Sequence, residues 1–195
     1  MKSNILPLIA LSMVFAMNAH AQNSNAVVTE PRASKPYHHL RIKGEMNIKL
    51  VESDMPGLVV RGNPYQLGNT VTMLKNDTLF IYQANTRKTD SKTFLSINVS
   101  ELVSLEVSGK TRVNCTGLVN TDYLTIRAYS GAQIKLDVRA LKVDSRAMGC
   151  GYIDLSGSTV SNAESIDDCS VIDSRLMDVV DKKDVVNYLC FLCGR

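Results

Sequence analysis

The 195-residue chain carries 22 basic and 19 acidic residues, no Trp and only four Phe. This near-balance of charge argues against nucleic acid as a partner, because phosphate recognition shows as a concentrated basic excess. The length suffices for one domain whose core needs no covalent staple.

The first stretch, MKSNILPLIALSMVFAMNAHA, reads as a signal peptide over residues 1–21. Lys2 is its one charge, and the apolar run from Ile5 to Met17 is short for a membrane span. Ala19-His20-Ala21 supplies a small-residue cleavage site, so the mature chain is expected to start at Gln22 with no transmembrane segment left. A retained anchor helix is the alternative. Residues 22–36, with two prolines and no apolar period, are expected to form a flexible leader.

From Tyr37 onward nearly every apolar stretch alternates with period two. LRIKGEMNIKLVE, LVVRG, TLFIYQ and FLSINVSELVSLEVSG follow one another, separated by Met55-Pro56-Gly57, Gly62-Asn63-Pro64 and Asn76-Asp77. Alternation bounded by Gly, Pro, Asn and Asp predicts strands and turns, and no long helical period appears, so the chain is read as all-β.

The second half repeats a phrase. Ser108-Gly109, Ser130-Gly131, Cys150-Gly151 and Cys169-Ser170 each precede an apolar residue: Val113, Ile134, Ile153 and Ile172. Leu105 to Leu124 spans 19 residues, Leu124 to Leu141 spans 17 and Leu141 to Val160 spans 19. A period near 19 predicts a single-stranded parallel β-helix whose coils stack at about 4.8 Å, with a β-sandwich as the alternative. Gly at the recurring phrase lets the backbone turn where φ must be positive.

The order LRIKGEMNIKLVESDMPGLVVRGNPYQL, then TLFIYQ, then FLSINVSELVSLEVSGKTRV, resembles the putative auto-transporter adhesin, head GIN domain family of Bacteroidetes-type envelopes. The likeness covers about residues 38–160. It implies a right-handed β-helix exported to the periplasm or the outer-membrane cell surface, and it carries no catalytic residues to transfer. One β-helix domain is expected over residues 37–195. After Ser174 the Gly-rich corners stop, so a modified C-terminal coil is expected from about residue 175.

Four cysteines, Cys150, Cys169, Cys190 and Cys193, fall where a disulfide or thiol column could run along successive coils. A column of small corner residues without bonds is the plainer reading. Cys190-Phe191-Leu192-Cys193 ends a β-chain rather than opening a helix, so thioredoxin-like chemistry is not expected, and no second pair completes a zinc site. His38 and His39 are neighbours on a strand and point to opposite faces. No cofactor and no metal are expected.

The candidate binding ladder consists of Lys110, Arg112 and Asn114 on one coil with Lys135, Asp137 and Arg139 on the next. Asp154 and Asp173 extend it. The expected function is a non-enzymatic exported binding module or adhesin presenting these polar ladders to a glycan or an envelope protein. One alternative is a polysaccharide-active enzyme using Asp154 and Asp173 as stacked carboxylates. Another is a periplasmic scaffold that homodimerises through its Cys-rich C-terminus.

Overall fold

The computed structural model describes residues 26–32, 35–85 and 92–180. The expected signal peptide, Cys190 and Cys193 lie outside the described residues. The elements in chain order are β1 (Val28–Arg32), β2 (His39–Lys43), β3 (Met46–Glu52), β4 (Gly57–Gly62), α1 (Pro64–Asn69), β5 (Thr70–Lys75), β6 (Thr78–Gln83) and β7 (Thr93–Val99). They continue with β8 (Ser104–Ser108), β9 (Arg112–Tyr129), β10 (Gln133–Met148), β11 (Tyr152–Ile166) and β12 (Val171–Val179).

The all-β reading holds, but the parallel β-helix does not form. One continuous 12-stranded mixed sheet curls into a half-barrel, in the order β1-β4-β7-β3-β9-β8-β2-β6-β5, with β10, β11 and β12 following from β9. Neither a right-handed stack of uniform coils nor a sandwich of two separate sheets describes it. The physical reason lies in the first half. The β1–β4, β4–β7 and β5–β6 pairs are antiparallel, whereas a β-helix runs parallel throughout. Asn76 and Asp77, both at positive φ (47° and 62°), make the two-residue hairpin that reverses β5 into β6.

Two further differences concern local structure. Val28–Arg32, inside the stretch expected to be a flexible leader, is a strand paired with β4. Its Pro31 is tolerated because β1 is a sheet edge, where a missing N–H costs no ladder bond. Gly62-Asn63-Pro64 is not a plain turn but the start of α1. The Asn63 side chain accepts from Gln66 N at 2.9 Å while Gln66 Oε1 accepts from Asn63 N at 2.8 Å. That is a capping box with Pro at the start of the helix.

The second half stacks in parallel. β9 pairs with β10, β10 with β11 and β11 with β12, each along one direction. Val60, Leu95, Ile48, Val113, Ile134, Ile153 and Ile172 stand side by side on seven adjacent strands. All are buried except Ile172, which is half-buried. A second inner row joins Leu79, Leu40, Leu105 and Ile126. Each such side chain contributes about 1.5–3 kcal/mol by leaving water, so the rows are the dominant stabilising term. In β10 the inward positions run Ile134, Leu136, Val138, Ala140 and then Val143, Ser145, Ala147. The alternation slips by one residue at Leu141, where the ladders to both β9 and β11 also skip a pair.

The recurring phrase turns the chain between β9, β10 and β11, but one residue earlier than expected at its third occurrence: Gly149-Cys150, not Cys150-Gly151, is level with Ser130-Gly131. Ser130 and Gly131 (φ 55° and 80°) sit inside a turn closed by Ala132 N donating to Tyr129 O at 3.2 Å. Gly149 and Cys150 (φ 58° and 61°) repeat it, closed by Gly151 N donating to Met148 O at 3.2 Å. Positive φ at both central residues is the signature of the type I′ turn. Successive turns are bonded to each other, Gly131 N donating to Gly149 O at 2.9 Å.

Candidate functional site

Because side chains alternate across a strand, the buried rows fix what faces solvent. Ser96, Lys49, Asn114, Lys135, Asp154 and Asp173 form one outer row, each on the next strand from β7 through β3 and β9 to β12. Two residues earlier on each strand stand Phe94, Asn47, Arg112, Gln133, Tyr152 and Val171. On the antiparallel neighbour β4, Val59 lies across from Ser96 and Arg61 across from Phe94.

Of the expected ladder, the structure brings Asn114, Lys135, Asp154 and Asp173 into a single row. Arg112 lies in the neighbouring row, where its Nε donates to Gln133 Oε1 at 3.0 Å. Lys110 is exposed in the turn before β9. Asp137 and Arg139 lie beyond a register shift between Lys135 and Asp137, across from Leu118 and Asn120. The eight residues therefore do not form one ladder.

Asp154 and Asp173 do stack, yet each has its own cation. Lys135 Nζ donates to Asp154 Oδ2 at 2.6 Å. Arg175 grips Asp173 with two bonds, Nε to Oδ1 at 2.8 Å and Nη2 to Oδ2 at 2.6 Å. The guanidinium hydrogen bonds hold the Asp173 carboxyl down at about 2. A general acid needs the opposite shift, toward neutral pH, so Asp173 is held ionised rather than poised to give up a proton. The depressed value gives the sign of the pH effect: the contact is present above the ordinary carboxylate range and is lost as pH falls through about 2. The Asp173 carboxyl is expected to titrate near 2 by carbon NMR, and Arg175→Ala to return it toward about 3.9. A wild-type midpoint near 4 would contradict the contact.

Cys150 and Cys169 form a disulfide with Cα atoms 4.6 Å apart, so a bond joins these two corner positions. Cys115 is the free cysteine among the described residues. Burial first, and then the carboxylates of Glu52 and Asp137, push its thiol up to about 11. Such a thiol is a poor nucleophile.

Sequence reasoning named Arg112 and Asn114 but missed Lys49, Arg61 and Phe94, which line the same trough. A hollow of about 580 Å³ crosses the outer face of β1, β4, β7, β3 and β9, with Lys49, Arg61, Phe94 and Arg112 among its lining. Arg61 and Phe94 are shared with a second hollow of about 460 Å³ that also includes Lys92. Phe94 is 53% exposed. Alternation in TFLSINV held the signal: Leu95 and Ile97 face the core, which forces Phe94 outward. Among the described residues no helix is long and apolar enough to cross a membrane.

The model of the family described as "Putative auto-transporter adhesin, head GIN domain" matches residues 36–173. None of the curated proteins matches. A putative adhesin from Parabacteroides distasonis has a similar crystal structure, with TM-score 0.61 and 16% identity over 80% of this chain and 76% of that one. A putative lipid binding protein from the same organism gives TM-score 0.58 and 17% identity, covering 80% and 76% of the two chains. A putative adhesin from Bacteroides fragilis gives 0.51 and 15%, covering 77% and 98%. At these identities the likeness extends to the fold alone.

Proposed function

The chain belongs to the putative auto-transporter adhesin, head GIN domain family, and from that premise we propose that it is an exported, non-enzymatic binding module of the cell envelope that holds an extended partner against its outer sheet face. The observation that carries this reading is the row Ser96, Lys49, Asn114, Lys135, Asp154 and Asp173 on six adjacent strands. It presents polar groups at regular steps of about 4.8 Å, a geometry suited to a repetitive ligand. The stacked carboxylates support binding rather than catalysis, since Lys135 and Arg175 neutralise them.

The test is a glycan array and an envelope pull-down with the chain from Gln22, beside Asp154→Ala and Asp173→Ala variants assayed for turnover on a polysaccharide panel. Retention of a glycan or envelope component without turnover is the expected result. Turnover abolished by either Asp substitution would replace the binding module with a polysaccharide-active enzyme.

A further inference from the structure

We propose that the trough floored by Phe94 is a binding site for a linear acidic polysaccharide, with Lys49, Arg61 and Arg112 meeting its anionic groups. The inference rests on the binding-module reading and names the ligand class.

Charge is the first argument. Lys49, Arg61 and Arg112 line the hollow and no Asp or Glu does. Among the described residues neither Lys49 nor Arg61 has an acidic partner, and Arg112 donates to the neutral Gln133. Lys49 lies diagonally from Arg112, since Asn47 is the residue directly across from it. Like charges this close on one face oppose each other. Further along the face Lys135 and Arg175 each have a carboxylate, so the corner around Lys49, Arg61 and Arg112 is the part of this face that suits an outside anion.

Shape is the second. Arg61 and Arg112 are separated by β7 and β3, three strand spacings or about 14 Å. An anion holding both must be long and must repeat its charge. The trough also continues past Arg61 and Phe94 toward Lys92, as a chain-like ligand requires.

Chemistry is the third. Phe94, an exposed residue, lies between Arg61 and Asn47 on the outer face. A bare aromatic ring on a charged face is covered well by the apolar C–H face of a sugar, while hydroxyl groups bond to neutral neighbours such as Asn47 and Ser96. A phosphate polymer would use the cations and leave the ring idle.

The experiment measures affinity for polygalacturonate, chondroitin sulfate, uncharged dextran and inorganic polyphosphate by calorimetry, on the wild type and on Lys49→Ala, Arg61→Ala, Phe94→Ala and Tyr123→Ala. Tyr123 is exposed on β9 but does not line the trough. All four sites are exposed, and equal thermal midpoints confirm that the variants fold. Both acidic glycans bind and dextran does not. Each cation removed weakens polygalacturonate about tenfold, the worth of one charge-assisted hydrogen bond. Phe94→Ala weakens polygalacturonate to a similar degree and leaves polyphosphate unchanged, and Tyr123→Ala changes nothing. Equal affinity for dextran, an equal loss of polyphosphate on Phe94→Ala, or no acidic glycan bound at all overturns the proposal. If an array glycan is retained with Lys49→Ala and Arg61→Ala as tight as wild type, this site is wrong while the binding-module reading stands.

Discussion

Gly157→Ala is expected to lower unfolding stability by at least about 4 kcal/mol, far beyond an ordinary surface change. Gly157 sits within β11 at φ 109°, in register with Val138 of β10 and Met177 of β12. A Cβ there would collide with the carbonyl oxygen of Val138 and approach Asp137 Oδ1 to 2.8 Å. Backbone cannot give way as a flexible side chain can, so the clash separates two strands at the middle of the stack. Gly131→Ala is the matched control. Its φ is also positive, at 80°, but nothing lies within 4 Å of the added Cβ, so it carries only the backbone strain of about 1–2 kcal/mol. Urea unfolding of both variants separates the two effects. Equal losses would mean that the β10–β11 approach is not as tight as described.

The second large effect is expected from replacing Cys150 and Cys169 together by Ser. The bond closes a segment spanning 19 residues, and on the chain-entropy account a loop of that length contributes about 3 kcal/mol. The loss should be local. Cys169 enters β12, where Met177 is buried and Ile172 half-buried while Val171, Leu176 and Val179 are exposed. β12 is therefore held by one backbone ladder and the disulfide, with little apolar burial behind it. Amide hydrogen exchange in the double variant is predicted to accelerate across Val171–Val179 and to stay slow across the inward residues of β10. Uniform acceleration through both strands would show that the bond supports the whole sheet.

The rows of the core were readable from sequence because period-two alternation reports which face a residue takes. Val113, Ile134, Ile153 and Ile172 do stand in register. Alternation says nothing about strand direction, and direction is where the expectation failed. Val59 faces inward or outward identically whether β4 runs with β7 or against it, so the antiparallel pairs passed as coils. Asn76-Asp77 was recognised as a turn, yet a two-residue connection between alternating strands also specifies a hairpin. α1 is only six residues long, too short to show a helical period, and its readable signs are the Asn63–Gln66 cap and Pro64 at its start.

The candidate site divides in the same way. The Asp154–Asp173 stack follows from the repeat spacing and was legible. The guanidinium that holds Asp173 ionised was not, because Arg175 reaches back from two positions later on its own strand. Lys49, Arg61, Phe94 and Arg112 are scattered from position 49 to position 112. Only the crossovers that order the strands β4-β7-β3-β9 bring them together.

On the binding-module reading the partner lies on the outer face over these four strands. An amide NMR titration of the chain with polygalacturonate tests it most directly. Shifts are expected to concentrate at Lys49, Arg61, Phe94 and Arg112. Shifts confined to Thr70–Lys75 and Thr78–Gln83 on the far flank, or none at saturating polymer, would contradict it.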